Sequence, residues 1–362
     1  MISPILEKIE NAVPNQFDKN IADLKQSNLP VYYYGSGIAG KNIKKVLEDN
    51  SVTIDSFIVD DNCHKQGMDI EGKPVYSLSG VLASDISVNI VVAVCDYCEK
   101  TESLSKKNFF IFDGTHVISP FPDYFDYVKK NIQGFEKLYT QLADELSKKI
   151  LINFINAKIS ANPQKLSALN VKGEKQYFPS FFEIGENEVF IDCGAYDGDI
   201  SLVLAELKKT AKIYAFECDA ENFKKLKKNT SHLDTIHIFE KGCWSEKAIL
   251  SFSNYGTMAS KIDSDGQIKI EADSIDNIIQ ETVTFIKMDV EGAELEALKG
   301  ARNTILKYTP KLAISVYHLK EDLISIPQYI LSVNKNYELY LRHYESFSSE
   351  LILYAKPKQG SS

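Results

Sequence analysis

Apolar and polar positions along the 362-residue chain fall into repeated strand–turn–helix units. The clearest lies at 189–219. Apolar Val189, Phe190 and Ile191 lead into Asp192, the pattern Asp192-x-Gly194-x-x-x-Gly198 follows, and after a helix-length stretch the apolar run Ile213–Phe216 closes on Glu217. A similar unit opens the chain. Val31–Tyr34 predicts a strand, Gly35, Gly37 and Gly40 a turn before a helix, and 54–62 a second strand ending at Asp60 and Asp61. Further strands are predicted within 73–78, 89–97 and 108–114, after an amphipathic helical lead-in over 1–28. From Tyr124 to about Leu169 apolar residues recur three and four apart, which predicts two helices packed against both neighbouring domains. The second half then predicts strands at 236–244, 248–252, 270–273, 283–289 and 312–318. A glycine-containing loop at 254–263 and a closing hairpin near 337–355 complete the pattern.

Length and composition frame this pattern. The chain exceeds one ordinary core, and the predicted division is 1–123, 124–175 and 176–358. Hydrophobic residues at 44% and charged ones at 25% are ordinary for a globular protein. A net charge of -9 argues against nucleic acid as partner, since that binding rests on clustered Lys and Arg. No apolar run approaches the ~20 residues that span a bilayer, and the acidic N-terminus does not read as a signal peptide, so the expected location is cytoplasmic. Six cysteines are few for this length and fit a reduced compartment. Cys95 and Cys98 form a solitary pair without a second one at zinc spacing, and no metal is expected. Cys193, Cys218 and Cys243 follow strand ends and read as small packing residues near a ligand. A homo-oligomer is compatible with the sequence.

Candidate chemistry gathers at strand ends, where open parallel sheets bind ligands and glycine lets backbone approach closely. Gly194 and Gly198 lack the Gly-x-Gly-x-x-Gly spacing that hugs a pyrophosphate, and an acid such as Glu217 can accept two ribose hydroxyls. A nucleoside without phosphates fits, and S-adenosylmethionine is the commonest such cofactor. Its expected contacts are Asp192, Gly194, Tyr196, Asp197, Gly198, Glu217, Cys218, Gly242, Trp244 and Asp289. Gly242 lies where the base should sit, with Trp244 able to stack or to serve the core. The first unit carries the dinucleotide fingerprint in Gly35, Gly37, Gly40 and Asp60, a weak signal that leaves NAD-dependent oxidoreductase or epimerase activity, or a nucleotide-sugar-binding module, as alternatives. Asp289, Glu291 and His318 are the expected catalytic residues. His318 is the preferred base, its ordinary pKa of ~6.5 lying near working pH, with Asp289 as competitor. Glu294 reads as a helix cap. Gln176 and Tyr177 precede the core sheet, and Arg342 and His343 end a strand at the expected mouth of the crevice; these four are the expected substrate contacts, Arg342 and His343 for a phosphate or sugar oxygen of a nucleotide-linked or phosphorylated acceptor.

The segments VFIDCGAYDGD, YAFECD, FIKMDVEGAELEALKGA, AISVYH and YLRHY together resemble the FkbM family of S-adenosylmethionine-dependent methyltransferases over roughly 176–355. The most specific motif is Ile286 to Glu294. The resemblance implies an α/β class I methyltransferase sheet, preceded by a smaller N-terminal Rossmann-like α/β domain and a helical connector. It also implies O-methylation of a sugar or polyketide hydroxyl, in surface polysaccharide or secondary-metabolite biosynthesis. Carried onto this chain, Asp192, Gly194 and Gly198 would hold the methionine end, Glu217 the ribose, and Asp289 the transfer site. The region of Gly242 departs from the acidic adenine contact of many such enzymes.

Overall fold

The computed structural model describes all residues except 1–4, 13, 36, 95–96, 119–120, 122, 168, 170–173, 254–260, 263–267 and 359–362. The chain divides into two compact units. The first comprises 1–132, 149–170 and 343–349, and the second 133–148, 171–342 and 350–362.

In the first unit the strands are β1 (Val31–Tyr34), β2 (Ser56–Val59), β3 (Asp69–Ile70), β4 (Lys73–Ser77), β5 (Asn89–Val92) and β6 (Asn108–Ile111). They form one sheet in the order β3-β4-β2-β1-β5-β6, parallel except for the short β3. Near-continuous apolar strands suit a parallel sheet covered on both faces. Tyr33, Phe57 and Val91 pack on one side with Phe17, Ile21 and Leu24 of the helix Gln16–Gln26. Tyr34, Ile58 and Ile90 pack on the other with Leu78, Val81 and Leu104. The sheet reverses its order between β1 and β5.

In the second unit the strands are β7 (Val189–Cys193), β8 (Lys212–Phe216), β9 (Ile236–Phe239), β10 (Gly242–Cys243), β11 (Ala248–Ser253), β12 (Lys261–Ile262), β13 (Ile268–Asp273), β14 (Phe285–Met288), β15 (Lys311–Ser315), β16 (Tyr337–His343) and β17 (Leu351–Pro357). The main sheet runs β16-β17-β15-β14-β7-β8-β9. Its strands are parallel from β15 to β9, and β17 is antiparallel to β15. Order reverses between β7 and β14, which places a ligand crevice at their carboxyl ends.

Three expectations are corrected. The predicted strand 236–244 is two strands, because β10 leaves β9 and joins a separate four-stranded sheet, β10-β13-β11-β12. Within the predicted loop 254–263, Lys261 and Ile262 pair with β11 as a strand, and the remainder lies outside the described residues. The helical stretch is four helices, Tyr124–Lys130, Ile132–Gln141, Glu145–Ser160 and Gln164–Ser167, and its residues divide between the two units instead of forming a separate connector.

Candidate active site

At the reversal point the ends of β7 and β14 meet through a glycine. Gly194 adopts φ +79°, and a Cβ there would collide with the carbonyl oxygen of Asp289. Only glycine combines that backbone with that approach. Gly194 and Ala195 donate their N–H groups to the carbonyl of Phe216, tying the turn to β8. Gly198, at φ +91°, is the N-cap of the helix Asp199–Leu207, and a Cβ there would crowd Leu226 at 2.8 Å.

Glu217 ends β8 with its Oε2 accepting the Tyr196 N–H at 2.9 Å and its Oε1 accepting the Asp219 N–H at 2.7 Å. Burial pushes its carboxyl up, and these N–H groups offset part of that. Each oxygen keeps a second lone pair for a further donor. Tyr196 projects at the turn, 45% exposed, with Lys225 over its ring, and the Asp197 carbonyl accepts from Asn229.

Asp192 requires a correction. Its carboxylate is fully buried, pairs with Lys287 Nζ at 3.0 Å and accepts the Ser201 hydroxyl at 2.7 Å, so it is taken up inside the sheet. Lys287 stands opposite Asp192 in the parallel register and donates to the Gly194 carbonyl at 2.7 Å. Burial works against the lysine charge, but Asp192 and Asp289 outweigh it and raise its pKa. Asp192 therefore shapes the glycine turn through Lys287.

Beyond β14 and β15 a cluster of acids surrounds one imidazole. His318 Nδ1 lies 2.9 Å from Glu294 Oε1, and its Nε2 lies 3.6 Å from Asp289 Oδ1 and 3.5 Å from Glu291 Oε2. Burial opposes the imidazolium, yet Glu294, Asp289 and Glu291 overcome it and push His318 up to about 10. An imidazole raised so far is disfavoured as the base it was expected to be. Burial also acts on Asp289, but Lys287 and His318 hold its carboxyl below the usual range. Glu291 has φ +55° and a side chain 40% exposed at the opening. Its enclosing walls still desolvate it, and with His318 opposing and Asp289 and Glu294 adding, its carboxyl is pushed up to about 7. Asp289, Glu294 and His318 offer ligand atoms within 4.8 Å of one another, a spacing a cation could share.

Tyr177 and Gln176 do reach this place. Tyr177 donates its hydroxyl to Asp289 Oδ2 at 3.0 Å, with Lys287 over its ring. Gln176 donates to Glu350 Oε2 at 2.6 Å, and Tyr317 donates to Glu350 Oε1 at 2.9 Å. Burial, with Asp289 adding, pushes the Glu350 carboxyl up to about 7.

Arg342 and His343 are corrected as crevice residues. Arg342 is buried on Asp144 at 2.6 Å, on the Ser147 hydroxyl and over the Phe181 ring. His343 belongs to the first unit, fully buried, with Nε2 2.8 Å from the Phe347 carbonyl, and burial drives its pKa down to about 4. Gly242 lies in the small sheet against Ala272. Trp244 donates its backbone N–H to the Asp273 carbonyl, and a Cβ on Gly300 would strike the Trp244 carbonyl. Cys218 is half-buried with its thiol pushed up to about 12 by burial, and the buried Cys243 thiol, raised likewise, hydrogen-bonds Cys193. Thiols so raised stay protonated and pack. Cys95 and the side chain of Cys98 lie outside the described residues.

In the first unit the fingerprint glycines serve close packing. A Cβ on Gly35 would meet the Ala93 carbonyl at 2.7 Å, and one on Gly40 the Gly35 carbonyl at 2.8 Å, while Gly37 has open space. Asp60 Oδ1 accepts the Tyr34 hydroxyl at 2.6 Å and pairs with Lys100 at 3.2 Å. Only Oδ1 of Asp60 takes these contacts, and its side chain is 49% exposed.

Sequence reasoning passed over Lys287, Tyr317 and Glu350, and assigned Glu294 to capping alone. Glu294 does accept the Val290 N–H at 2.9 Å, but it also holds His318. The available signal for Lys287 was a charge inside an otherwise apolar strand, paired in register with Asp192.

A parallel sheet reversing at a glycine turn, closed by an antiparallel strand, defines the class I methyltransferase fold. Residues 192–339 match the family model described as the methyltransferase FkbM domain. The hexuronic acid methyltransferase AglP of Haloferax volcanii is 28% identical over 131 residues, 34% of this chain and 54% of that protein, so the match spans about half the relative's length. The crystal structure of methyltransferase FkbM from Methylobacillus flagellatus KT, at 24% identity, covers 94% of each chain with a TM-score of 0.69, a likeness of fold. No helix among the described residues is long and apolar enough to cross a membrane.

Proposed function

We propose that the protein transfers a methyl group from S-adenosylmethionine to a hydroxyl of a sugar-containing small molecule. The observation that carries this reading is the meeting of Gly194 with Asp289 at the reversal point, with Glu217 one strand away and the acid cluster beyond. The Gly194–Gly198 turn, free of a Cβ at Gly194, would let the methionine end approach its backbone, and the spare lone pairs of Glu217 would take the ribose hydroxyls. Asp289, held ionised, would face the sulfonium. S-adenosylmethionine supplies an activated methyl group, and the chain's residues align the acceptor and manage one proton. Alignment can contribute roughly 7–11 kcal/mol to such a reaction.

Glu291 is the base in this reading. Its carboxyl sits near working pH, where a positioned base contributes about 10²–10⁴ in rate. His318, as imidazolium, compensates the acids and keeps Glu291 and Asp289 in place. Acids flanked by Tyr177 and Tyr317 suit an uncharged polyhydroxyl acceptor, whose hydroxyls donate to carboxylates. With Arg342 and His343 engaged elsewhere, a phosphorylated acceptor loses its expected contacts. The hexuronic acid methyltransferase relative supports the sugar class. Calorimetry with S-adenosylmethionine tests the cofactor, and transfer of labelled methyl to hexuronic-acid-bearing glycans tests the acceptor. A chain that binds no S-adenosylmethionine would overturn the reading.

A further inference from the structure

The segment 343–349 joins β16 to β17, yet it is built into the first unit. Phe347, 2% exposed, packs in that unit's apolar cluster with Tyr34, Val92 and Tyr97, its ring 5.8 Å from that of Tyr97. Tyr97 donates its hydroxyl to the Ser346 carbonyl at 3.0 Å. Ser348, fully buried, donates to Asp113 Oδ2 at 2.5 Å and lies 2.6 Å from Thr115 Oγ1. The other Asp113 oxygen accepts both the N–H and the hydroxyl of Thr115. Asp113 follows β6, so these anchors stand at the carboxyl edge of the first unit's parallel sheet, the edge where such sheets take ligands. The Phe347 ring, the Ser346 carbonyl and the Ser348 hydroxyl of the segment are held at that edge.

The residue that leaves this segment is Glu350, in left-handed backbone at φ +50°, a conformation that costs a non-glycine residue and persists only where its surroundings impose it. Its carboxylate is gripped by Gln176 and Tyr317 in the second unit. We propose that the first unit works as a clamp on residues 346–348, and that Asp113 and Ser348 are positioning residues for Glu350, which orients the acceptor hydroxyl. The acceptor role of Glu350 rests on the methyl-transfer reading; the clamp does not.

The test uses the full chain. Hydrogen exchange in Ser348→Ala and Asp113→Asn should quicken about tenfold at the amides of 350–353, with the core strands β5 and β14 unchanged. Ser348→Thr, which keeps the hydroxyl, should restore protection. Carboxyl-labelled glutamate observed by NMR, with Glu350→Gln for assignment, should show Glu350 titrating near 7 in the natural chain and closer to the ordinary ~4.3 in Ser348→Ala. Unchanged exchange and titration in both variants would overturn the clamp. Calorimetry with S-adenosylmethionine is run in parallel and should stay within about twofold. Failure of the natural chain to bind it sinks the methyl-transfer reading alone.

Discussion

The two units begin with the same device, a strand, a glycine turn and a helix followed by an acid at the end of the next strand, and they use it differently. In the second unit the turn carries Gly194 against Asp289, and Glu217, buried, accepts the N–H groups of Tyr196 and Asp219. In the first, Gly35 and Gly40 close the backbone onto itself, and Asp60 is engaged by Tyr34 and Lys100. The fingerprint describes a way of bending the chain. Whether it binds depends on what else arrives at the same edge.

The largest effect that would sharpen this contrast is expected at the two strand-end acids. Asp192→Ala leaves Lys287 buried and unpaired, which should cost about 3–5 kcal/mol in urea unfolding of the second unit. Asp60→Ala removes a half-exposed pair and should cost less than ~1 kcal/mol. Equal losses would erase the distinction between the two acids.

The glycines come next. Gly194→Ala drives a methyl into the Asp289 carbonyl, an overlap costing about 1–3 kcal/mol, with roughly 1–2 more for the left-handed backbone. Gly37→Ala, with open space and an extended backbone, should be near neutral. Thermal melts of both variants read this directly.

Ligand effects are smaller. S-adenosylmethionine at a hundredfold over its dissociation constant should stabilise the protein by ~2.7 kcal/mol, whereas NAD should leave the melt unchanged. A shift with NAD would reopen the first unit as a nucleotide site.

Stability should also drift with pH. His318 is raised from an ordinary ~6.5 to about 10, so its contribution is complete below ~6.5 and lost as pH rises through 10. Chemical unfolding of the second unit should weaken across that window, and the drift should flatten in His318→Gln. Methyl transfer should rise as pH passes 7, where Glu291 ionises, and fall near 10 as His318 loses its proton. A rate that rises and then stays level through pH 10 would remove His318 from its compensating role.

Much of this fold was legible along the chain. Apolar strands, the Gly194 turn and the motif from Ile286 to Glu294 are local patterns, and local pattern sets strand, turn and helix through backbone sterics and the burial of apolar faces. The sequence alone therefore determined two α/β sheets and the placing of Glu217, Asp289 and His318 at strand ends; which strands flank the reversal was set by the tertiary fold. Tertiary structure decided what those groups are. Asp192 became a buried partner of Lys287 because two parallel strands set them opposite, and His318 became a cation because Glu294, Asp289 and Glu291 converge on it. Arg342 and His343, adjacent in the chain, were parted into different units. Charge state and binding capacity follow from distance and desolvation, which spacing along a chain does not specify.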